Sequence, residues 1–141
     1  MTQIVLIDSC YWFGLYDEKD QYHSESEGIS EMLRDCTIVI PFPSLYEVLN
    51  STFIRRRTAL DSLENVIKSG KVSLLPDDKY RDSALENVYK VHKEPMPKIS
   101  LVDSIIREIL SDTNVRIDAL VTYNEKDFKD VCDRRNITIL P

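Results

Sequence analysis

Residues 3–8 read QIVLID, a short and mostly aliphatic run that stops at the acid Asp8. A run of this length, apolar at successive positions, predicts a strand buried on both faces, as in the centre of a parallel sheet. A carboxylate directly after a buried strand must be hydrogen-bonded, cap a helix or bind a metal. This stretch therefore predicts the centre of the fold and the first candidate site residue.

Four further apolar segments have the length of short strands, at residues 37–40, 72–75, 118–122 and 137–140. Helices are predicted over residues 11–16, from about 24, from 44, and over 58–69, 79–92, 100–112 and 125–134. The order β-α-α-β-α-α-β-α-α-β-α-β predicts an α/β fold, a three-layer α/β/α sandwich with a central, mostly parallel five-stranded sheet. No repeat or linker interrupts it, so a single domain is predicted over residues 1–141.

The composition is that of an ordinary globular chain, with 43% hydrophobic and 30% charged residues. A net charge of −6 argues against binding nucleic acid by bulk positive charge, while leaving room for a local basic patch. No apolar stretch is long enough for a membrane span, and the first residues do not resemble a signal peptide. Three widely spaced cysteines without a CxxC pair favour a reduced, cytoplasmic chain.

Sparse glycine and histidine exclude several kinds of site. The three glycines stand far apart, whereas a dinucleotide fingerprint or a phosphate-binding loop needs them clustered. The HExxH and GxSxG motifs are absent, and two histidines cannot build a histidine-rich metal site. Carboxylates are plentiful, so carboxylate chemistry is the kind that the sequence favours.

Four acids fall where sites form in open α/β sheets, at the carboxyl ends of strands. Asp8 ends the first predicted strand, while Glu47, Asp103 and Asp127 lie in the first turns of predicted helices. The last three acids can also be interpreted as parts of helix caps. Each follows a possible capping residue by three positions, as in a capping box; these residues are Ser44, Ser100 and Asn124. The two interpretations are compatible, since helix N-termini help to keep carboxylates ionised and metals need them ionised.

A cluster of ionised acids repels itself unless a cation lies among them. With oxygen ligands and no cysteine or histidine set, the fitting cations are Mg²⁺ and Mn²⁺. A carboxylate-held Mg²⁺ activates water against a phosphodiester and shields its charge. This chemistry leads to a nuclease or a phosphatase.

The motifs together resemble the PIN-domain ribonucleases, which include the VapC-type toxins of toxin–antitoxin pairs. The similar segments are IVLIDSCYWFGLYDEKDQYH (4–23), PFPSLYEVLN (41–50), SLVDSIIREIL (100–110), LVTYNEKDF (120–128) and the closing ITILP (137–141). The resemblance spans nearly the whole chain, and its specificity comes from the motifs taken together. Unlike the toxins it resembles, the third segment lacks a run of small residues.

This resemblance implies an acidic quartet, with supporting polar groups at Ser9 and Asn124. The quartet consists of Asp8, Glu47, Asp103 and Asp127. Many members have aspartate where Asn124 stands, so Asn124 and Asp127 share or exchange the fourth role. The resemblance further implies a Mg²⁺- or Mn²⁺-dependent endoribonuclease acting on single-stranded or structured RNA, a homodimer, and a small antitoxin partner.

Two other functions remain open. One is a catalytically weak PIN-like module that works by binding RNA or protein. The other, an aspartyl phosphotransferase, ranks last because it favours a DxD arrangement, whereas Ser9 and Cys10 follow Asp8.

Several polar residues near these motifs have two interpretations. The segment 54–71 contains five basic and two acidic residues. Its three consecutive arginines either bind RNA phosphates or form a solvated helix end; they are Arg55, Arg56 and Arg57. Ser9 either orients the site or caps the first helix. Cys10 is interpreted as a packed residue, because no histidine near it in sequence would activate it as a nucleophile.

Overall fold

The structure is a computed structural model that describes residues 2–140. Its five strands are β1 (Ile4–Ile7), β2 (Thr37–Pro41), β3 (Val72–Leu75), β4 (Ala119–Val121) and β5 (Thr138–Leu140). They form one sheet in the order β3-β2-β1-β4-β5, and every neighbouring pair is parallel. The predicted five-stranded parallel sheet is confirmed, with β1 at its centre.

Helices connect the strands in the predicted order. They are α1 (Ser9–Tyr16), α2 (His23–Met32), α3 (Phe42–Val48), α4 (Arg57–Ile67), α5 (Arg81–His92), α6 (Leu101–Ser111) and α7 (Lys129–Arg135). Short 3₁₀ turns lie at Leu33–Asp35, Phe53–Arg55, Asp78–Tyr80 and Glu125–Asp127. No helix within the described residues is both long and apolar enough to cross a membrane.

Two hydrophobic cores lie on opposite faces of the sheet, because successive side chains of a strand point to opposite faces. Val5 and Ile7 of β1 pack with Trp12 of α1 and Leu63 of α4. Leu6 packs into the other core, which is formed largely by α6 and α7 and includes Ile105, Ile106, Ile109, Leu110, Phe128 and Val131. The sheet thus lies between two helical layers, which confirms the predicted α/β/α sandwich.

Of the helix boundaries that differ from the prediction, two change the place of a candidate acid. Helix α3 begins at Phe42, because Pro43 fits the first turn of a helix, where no backbone N–H is needed. Glu47 therefore lies in the second turn of α3, and its predicted place in the first turn is wrong. The helix predicted over 125–134 is divided into the 3₁₀ turn Glu125–Asp127 and α7, so Asp127 ends that short turn.

Candidate active site

Asp8 lies at the carboxyl end of the central strand and is almost completely buried, with 3% of its surface exposed. Its Oδ1 accepts a hydrogen bond from the backbone N–H of Ser9 (2.7 Å), and its Oδ2 accepts one from the Thr122 hydroxyl (3.0 Å). The carboxylate thereby caps α1. Burial raises the pKa of Asp8, while these hydrogen bonds oppose the increase. The expectation that a carboxylate directly after the buried strand is hydrogen-bonded or caps a helix is confirmed.

Ser9 connects Asp8 with the second acid, Glu47. The Ser9 hydroxyl donates to Glu47 Oε1 at 2.9 Å and lies 3.5 Å from Asp8 Oδ1. This contact joins the end of β1 to α3, which follows the neighbouring strand β2. Desolvation, and to a smaller extent the charge of Asp8, raise the pKa of Glu47. Of the two roles weighed for Ser9, its side chain is placed for orienting Glu47, because Asp8 is the residue that caps α1.

Asp103 lies in the first turn of α6, and its carboxylate is partly buried. Its backbone N–H donates to the Ser100 hydroxyl at 3.1 Å, so the capping interaction predicted at Ser100 is present. The pKa of Asp103 is raised to about 6, first by desolvation and then by three negative charges. Those charges belong to Asp8, Asp127 and Glu47. The negative charges of the other three acids therefore act on Asp103.

Asp127 and Asn124 occupy the turn that follows β4. The backbone N–H of Asn124 donates to the Thr122 hydroxyl at 3.1 Å, and the N–H of Asp127 donates to the Asn124 carbonyl at 3.0 Å. The side chain of Asn124 caps nothing. The capping box predicted at Asn124 is therefore wrong, because its residues form a 3₁₀ turn rather than the start of a helix.

The capping box predicted at Ser44 is also wrong. Ser44 lies inside α3 and is fully buried, and its hydroxyl has no hydrogen-bond partner among the residues described. A buried hydroxyl without a partner is uncommon in folded proteins. Ser44 lies one turn before Glu47 in the same helix.

The chemistry of the four acids fits a hard divalent cation, because all of their ligand atoms are oxygen. Within residues 2–140, no three acidic, histidine or cysteine side chains are grouped closely enough to hold an ion. Mg²⁺ is usually held by one or two carboxylates together with water and substrate phosphate, so a group of three is not required. A cation among the acids would also relieve the repulsion that contributes to the raised pKa of Asp103.

The three arginines lie apart from the acids. All are exposed, and Arg56 forms an ion pair with Asp17 at 3.4 Å. Asn50 links their turn to the site, since its Nδ2 donates to the Glu47 carbonyl at 2.8 Å. Its Oδ1 accepts from the N–H groups of Thr52 and Phe53. The arginines thus flank the site on the α3 side without contacting it.

Two residues with a place in the site were not predicted from the sequence. Thr122 is buried and bonds both to Asp8 and to the backbone of Asn124. Thr122 directly follows a buried strand, and the same kind of position identified Asp8 in the sequence. Arg107 lies one turn after Asp103 in α6 and donates to the Asp127 carbonyl at 2.7 Å. It also forms two bonds of 2.7 Å to Asp130.

Cys10 lies beside the site but is unsuited to nucleophilic attack. Its thiol is 3.6 Å from Asp8 Oδ2, and it accepts a hydrogen bond from the backbone N–H of Tyr123 at 3.4 Å. Burial and the charge of Asp8 raise its pKa to about 12, so the thiolate is scarce at neutral pH. The geometry agrees with the prediction of a packed cysteine.

Comparison with known proteins identifies the fold. No protein-family model and no curated protein matches the sequence. Among solved structures, the chain is similar to VapC20 of Mycobacterium tuberculosis, described as a sarcin-ricin loop cleaving toxin, with a TM-score of 0.69. The similarity covers 89% of this chain and 94% of that chain, at 14% sequence identity. The predicted PIN-like, VapC-like fold is thereby confirmed.

Proposed function

We propose that this protein is a divalent-metal-dependent endoribonuclease that hydrolyses RNA phosphodiester bonds. One observation carries the proposal. The Ser9 hydroxyl lies between Asp8 and Glu47 at the carboxyl edge of the sheet, and desolvation together with the charges of Asp8, Asp127 and Glu47 raises the pKa of Asp103 to about 6. Perturbed carboxylates at the carboxyl edge of a parallel sheet are typical of a catalytic site.

Asp8, Glu47 and Asp103 would hold Mg²⁺ or Mn²⁺, directly or through water. The bound ion would supply an activated water and would shield the charge of the phosphodiester. The chain's own contribution is to orient these carboxylates before the ion binds. Thr122 and the Ser9 backbone fix the two oxygens of Asp8, and the Ser9 hydroxyl fixes Glu47.

Asp127 is the better candidate for the fourth role. Its charge contributes to the raised pKa of Asp103, whereas the Asn124 side chain carries no charge. Arg107 supports this assignment, because its bond to the Asp127 carbonyl ties the turn to the helix that holds Asp103. We therefore assign Asn124 a supporting role.

The fold supports an RNA substrate, single-stranded or structured, and a place in a type II toxin–antitoxin pair in the cytoplasm. The similar VapC20 is described as a toxin that cleaves the sarcin-ricin loop. A small antitoxin would then be the partner that blocks the acidic site. The exposed arginines Arg55, Arg56 and Arg57 would contact RNA phosphates on the α3 side.

A homodimer is part of the same proposal, and the surface of α3 supports it. Phe42, Tyr46 and Leu49 are exposed at helical spacing, and the Phe42 and Tyr46 rings pack edge to face with centroids 5.7 Å apart. The sequence also supports a dimer, because the helices between residues 44 and 69 carry more apolar surface than one face of the sheet can cover.

One observation favours the alternative of a catalytically weak module that binds RNA or protein. The acids of residues 2–140 do not form a compact group of three around a common point. A weak module would bind RNA without cutting it, so turnover distinguishes the two functions.

The test is cleavage of a panel of RNAs by purified protein with Mg²⁺ or Mn²⁺, in parallel with the Asp8→Asn variant. We expect single-stranded RNA to be cut by the wild type, and cleavage to stop with EDTA and in Asp8→Asn. The Asp61→Asn variant is the matched control, because Asp61 is exposed on α4. RNA that is bound but never cut would support the weak module instead.

A further inference from the structure

A cleft of about 410 Å³ opens beside Asp127 on the side of the site away from the arginines. One wall is the connector between α5 and α6, where Met96, Pro97 and Lys98 lie. The other walls are Arg107 of α6 and, from the turn after β4 and the start of α7, Lys126, Asp127 and Asp130. Because Asp127 lines the cleft and also belongs to the acidic quartet, the cleft continues directly from the candidate active site.

The cations of this cleft differ in how they are neutralised. Arg107 forms two hydrogen bonds to Asp130, so its charge is matched by a carboxylate. Lys98 Nζ instead lies 3.0 Å from Nδ1 of His92, which is an uncharged contact when that nitrogen accepts the bond. No carboxylate within the part of the chain described lies within ion-pair distance of Lys98 or Lys126. Lys98 Nζ also donates to the His92 carbonyl at 3.4 Å, so both ammonium groups keep a positive charge that no carboxylate of the described residues matches.

We propose that this cleft binds a backbone phosphate of the RNA next to the phosphodiester that is cut, with Lys98 and Lys126 as its ligands. The inference rests on the proposed nuclease function and identifies the phosphate subsite on the Asp127 side. Four carboxylates repel an RNA backbone that approaches them, so the strand needs neighbouring positive charge to remain in place. Lysine is suited to this role as a flexible point charge on phosphate.

The two basic regions then give the RNA a path across the protein. Arg55, Arg56 and Arg57 lie beyond α3 on one side of the acids, and the cleft lies beyond Asp127 on the other. Arg107 acts as a positioning residue, because its donors are taken by Asp130 and by the Asp127 carbonyl. The exposed lysines consequently provide the sharper test.

The experiment measures Mg²⁺-dependent cleavage of a labelled single-stranded RNA by the wild type and by the double variant Lys98→Ala/Lys126→Ala, over a series of KCl concentrations. Two lost phosphate contacts lower the slope of log KM against log salt by about 1.4, which raises KM by about 25-fold at 0.1 M salt. We expect kcat at saturating RNA to remain unchanged.

Two controls separate this site from general charge effects. Lys68→Ala/Lys71→Ala removes the same formal charge at the amino end of β3, away from the carboxyl ends that carry the acids. Lys68 pairs with Glu64 and Lys71 Nζ donates to the Arg34 carbonyl at 2.6 Å, so this variant should leave KM and its salt slope unchanged. Lys98→Arg/Lys126→Arg keeps the charge and should remain within about threefold of the wild-type KM, because binding to phosphate depends chiefly on positive charge.

The outcomes distinguish this inference from the proposed function. If the wild type cuts RNA while Lys98→Ala/Lys126→Ala keeps its KM and salt slope, the subsite is wrong and the nuclease stands. An equal shift in the Lys68→Ala/Lys71→Ala control also overturns the subsite. If the wild type cuts no RNA, the proposed function fails and the subsite fails with it.

Discussion

At the scale of single residues, Thr122 shows how the site is held in place. Its buried hydroxyl donates to Asp8 Oδ2 and accepts from the N–H of Asn124, so one side chain connects the central acid to the turn that holds Asp127. A sequence pattern does not identify such a role, because it depends on β4 being the neighbour of β1.

The first prediction is that Thr122→Val, which keeps the shape and removes the hydroxyl, destabilises the protein by about 1–3 kcal/mol. The cause is that the buried Asp8 loses a donor and the N–H of Asn124 loses an acceptor. Urea denaturation measures the change. Thr138→Val, at an exposed position of β5, should change stability by less than about 0.5 kcal/mol. Wild-type stability of Thr122→Val would contradict this account.

The second prediction concerns Asp103, whose folded pKa of about 6 lies above its ordinary value of 3.8. Between those values the folded state binds more protons than the unfolded state, so this group's contribution to stability falls as pH rises from about 4 to 6. Without metal, Asp103→Asn should therefore be more stable than the wild type at pH 7.5, by about 1–2 kcal/mol, and about equal at pH 4. Urea denaturation in EDTA at both pH values measures the difference.

Metal should narrow that difference. Mg²⁺ at ten times its dissociation constant should stabilise the wild type by about 1.4 kcal/mol through mass action, and Asp103→Asn should lose most of this gain. Asp61→Asn should keep it. If Asp103 acts only as part of a helix cap, neutralising it lowers stability with or without metal and leaves any Mg²⁺ response unchanged.

At the scale of elements, Arg107 holds α6 against α7 and the turn before it. The third prediction is that Arg107→Lys destabilises the protein by about 1–2 kcal/mol, because one ammonium cannot reproduce a two-point contact with Asp130. Cleavage should fall as well, since the turn of Asp127 loses its tie to α6. Stability and initial cleavage rates provide the two measurements.

The control for this variant is Arg134, which contacts the same carboxylate, Asp130. Arg134 reaches Asp130 from the exposed side of α7 at 3.7 Å, a distance at which a surface ion pair contributes little. Arg134→Lys should consequently change stability by less than about 0.5 kcal/mol. If both variants behave alike, Arg107 does not have the positioning role assigned to it.

The elements themselves were largely predictable from the sequence. Each strand is a short apolar run, and the helices between them have their own periodicity, so the order and the parallel sheet follow from local patterns. The prolines at positions 41 and 43 predicted that the strand ends there and that a helix begins at Ser44. The helix instead begins at Phe42, because Pro43 is tolerated inside the first turn of α3. The capping role predicted for Ser44 failed for that reason.

The candidate site was predictable where a residue's place depends on its own element. Asp8 follows a buried strand and Asp103 follows the Ser100 cap, and both positions can be recognised locally. The connections between elements could not be predicted in this way. The Ser9 contact with Glu47 and the Arg107 contact with Asp127 depend on three-dimensional packing rather than on spacing along the chain.

At the scale of the whole molecule, the fourth prediction is that the protein forms a dimer through α3. Tyr46 is 71% exposed on the apolar surface of that helix, so Tyr46→Asp should convert the dimer to a monomer at tens of micromolar. Light scattering measures the mass. Tyr89→Asp, at a position of α5 that is also exposed, should remain dimeric. A monomeric wild type would contradict the proposed dimer.

The proposed function depends on whether the acidic quartet supports metal-dependent cleavage of RNA. The most direct measurement is cleavage of a panel of RNAs by the wild type and Asp103→Asn in parallel, with Mg²⁺, with Mn²⁺ and with EDTA. We expect cleavage by the wild type with at least one ion, none with EDTA, and a rate about 100-fold lower in Asp103→Asn. Cleavage that survives both EDTA and Asp103→Asn, or no cleavage of any RNA with either ion, would contradict it.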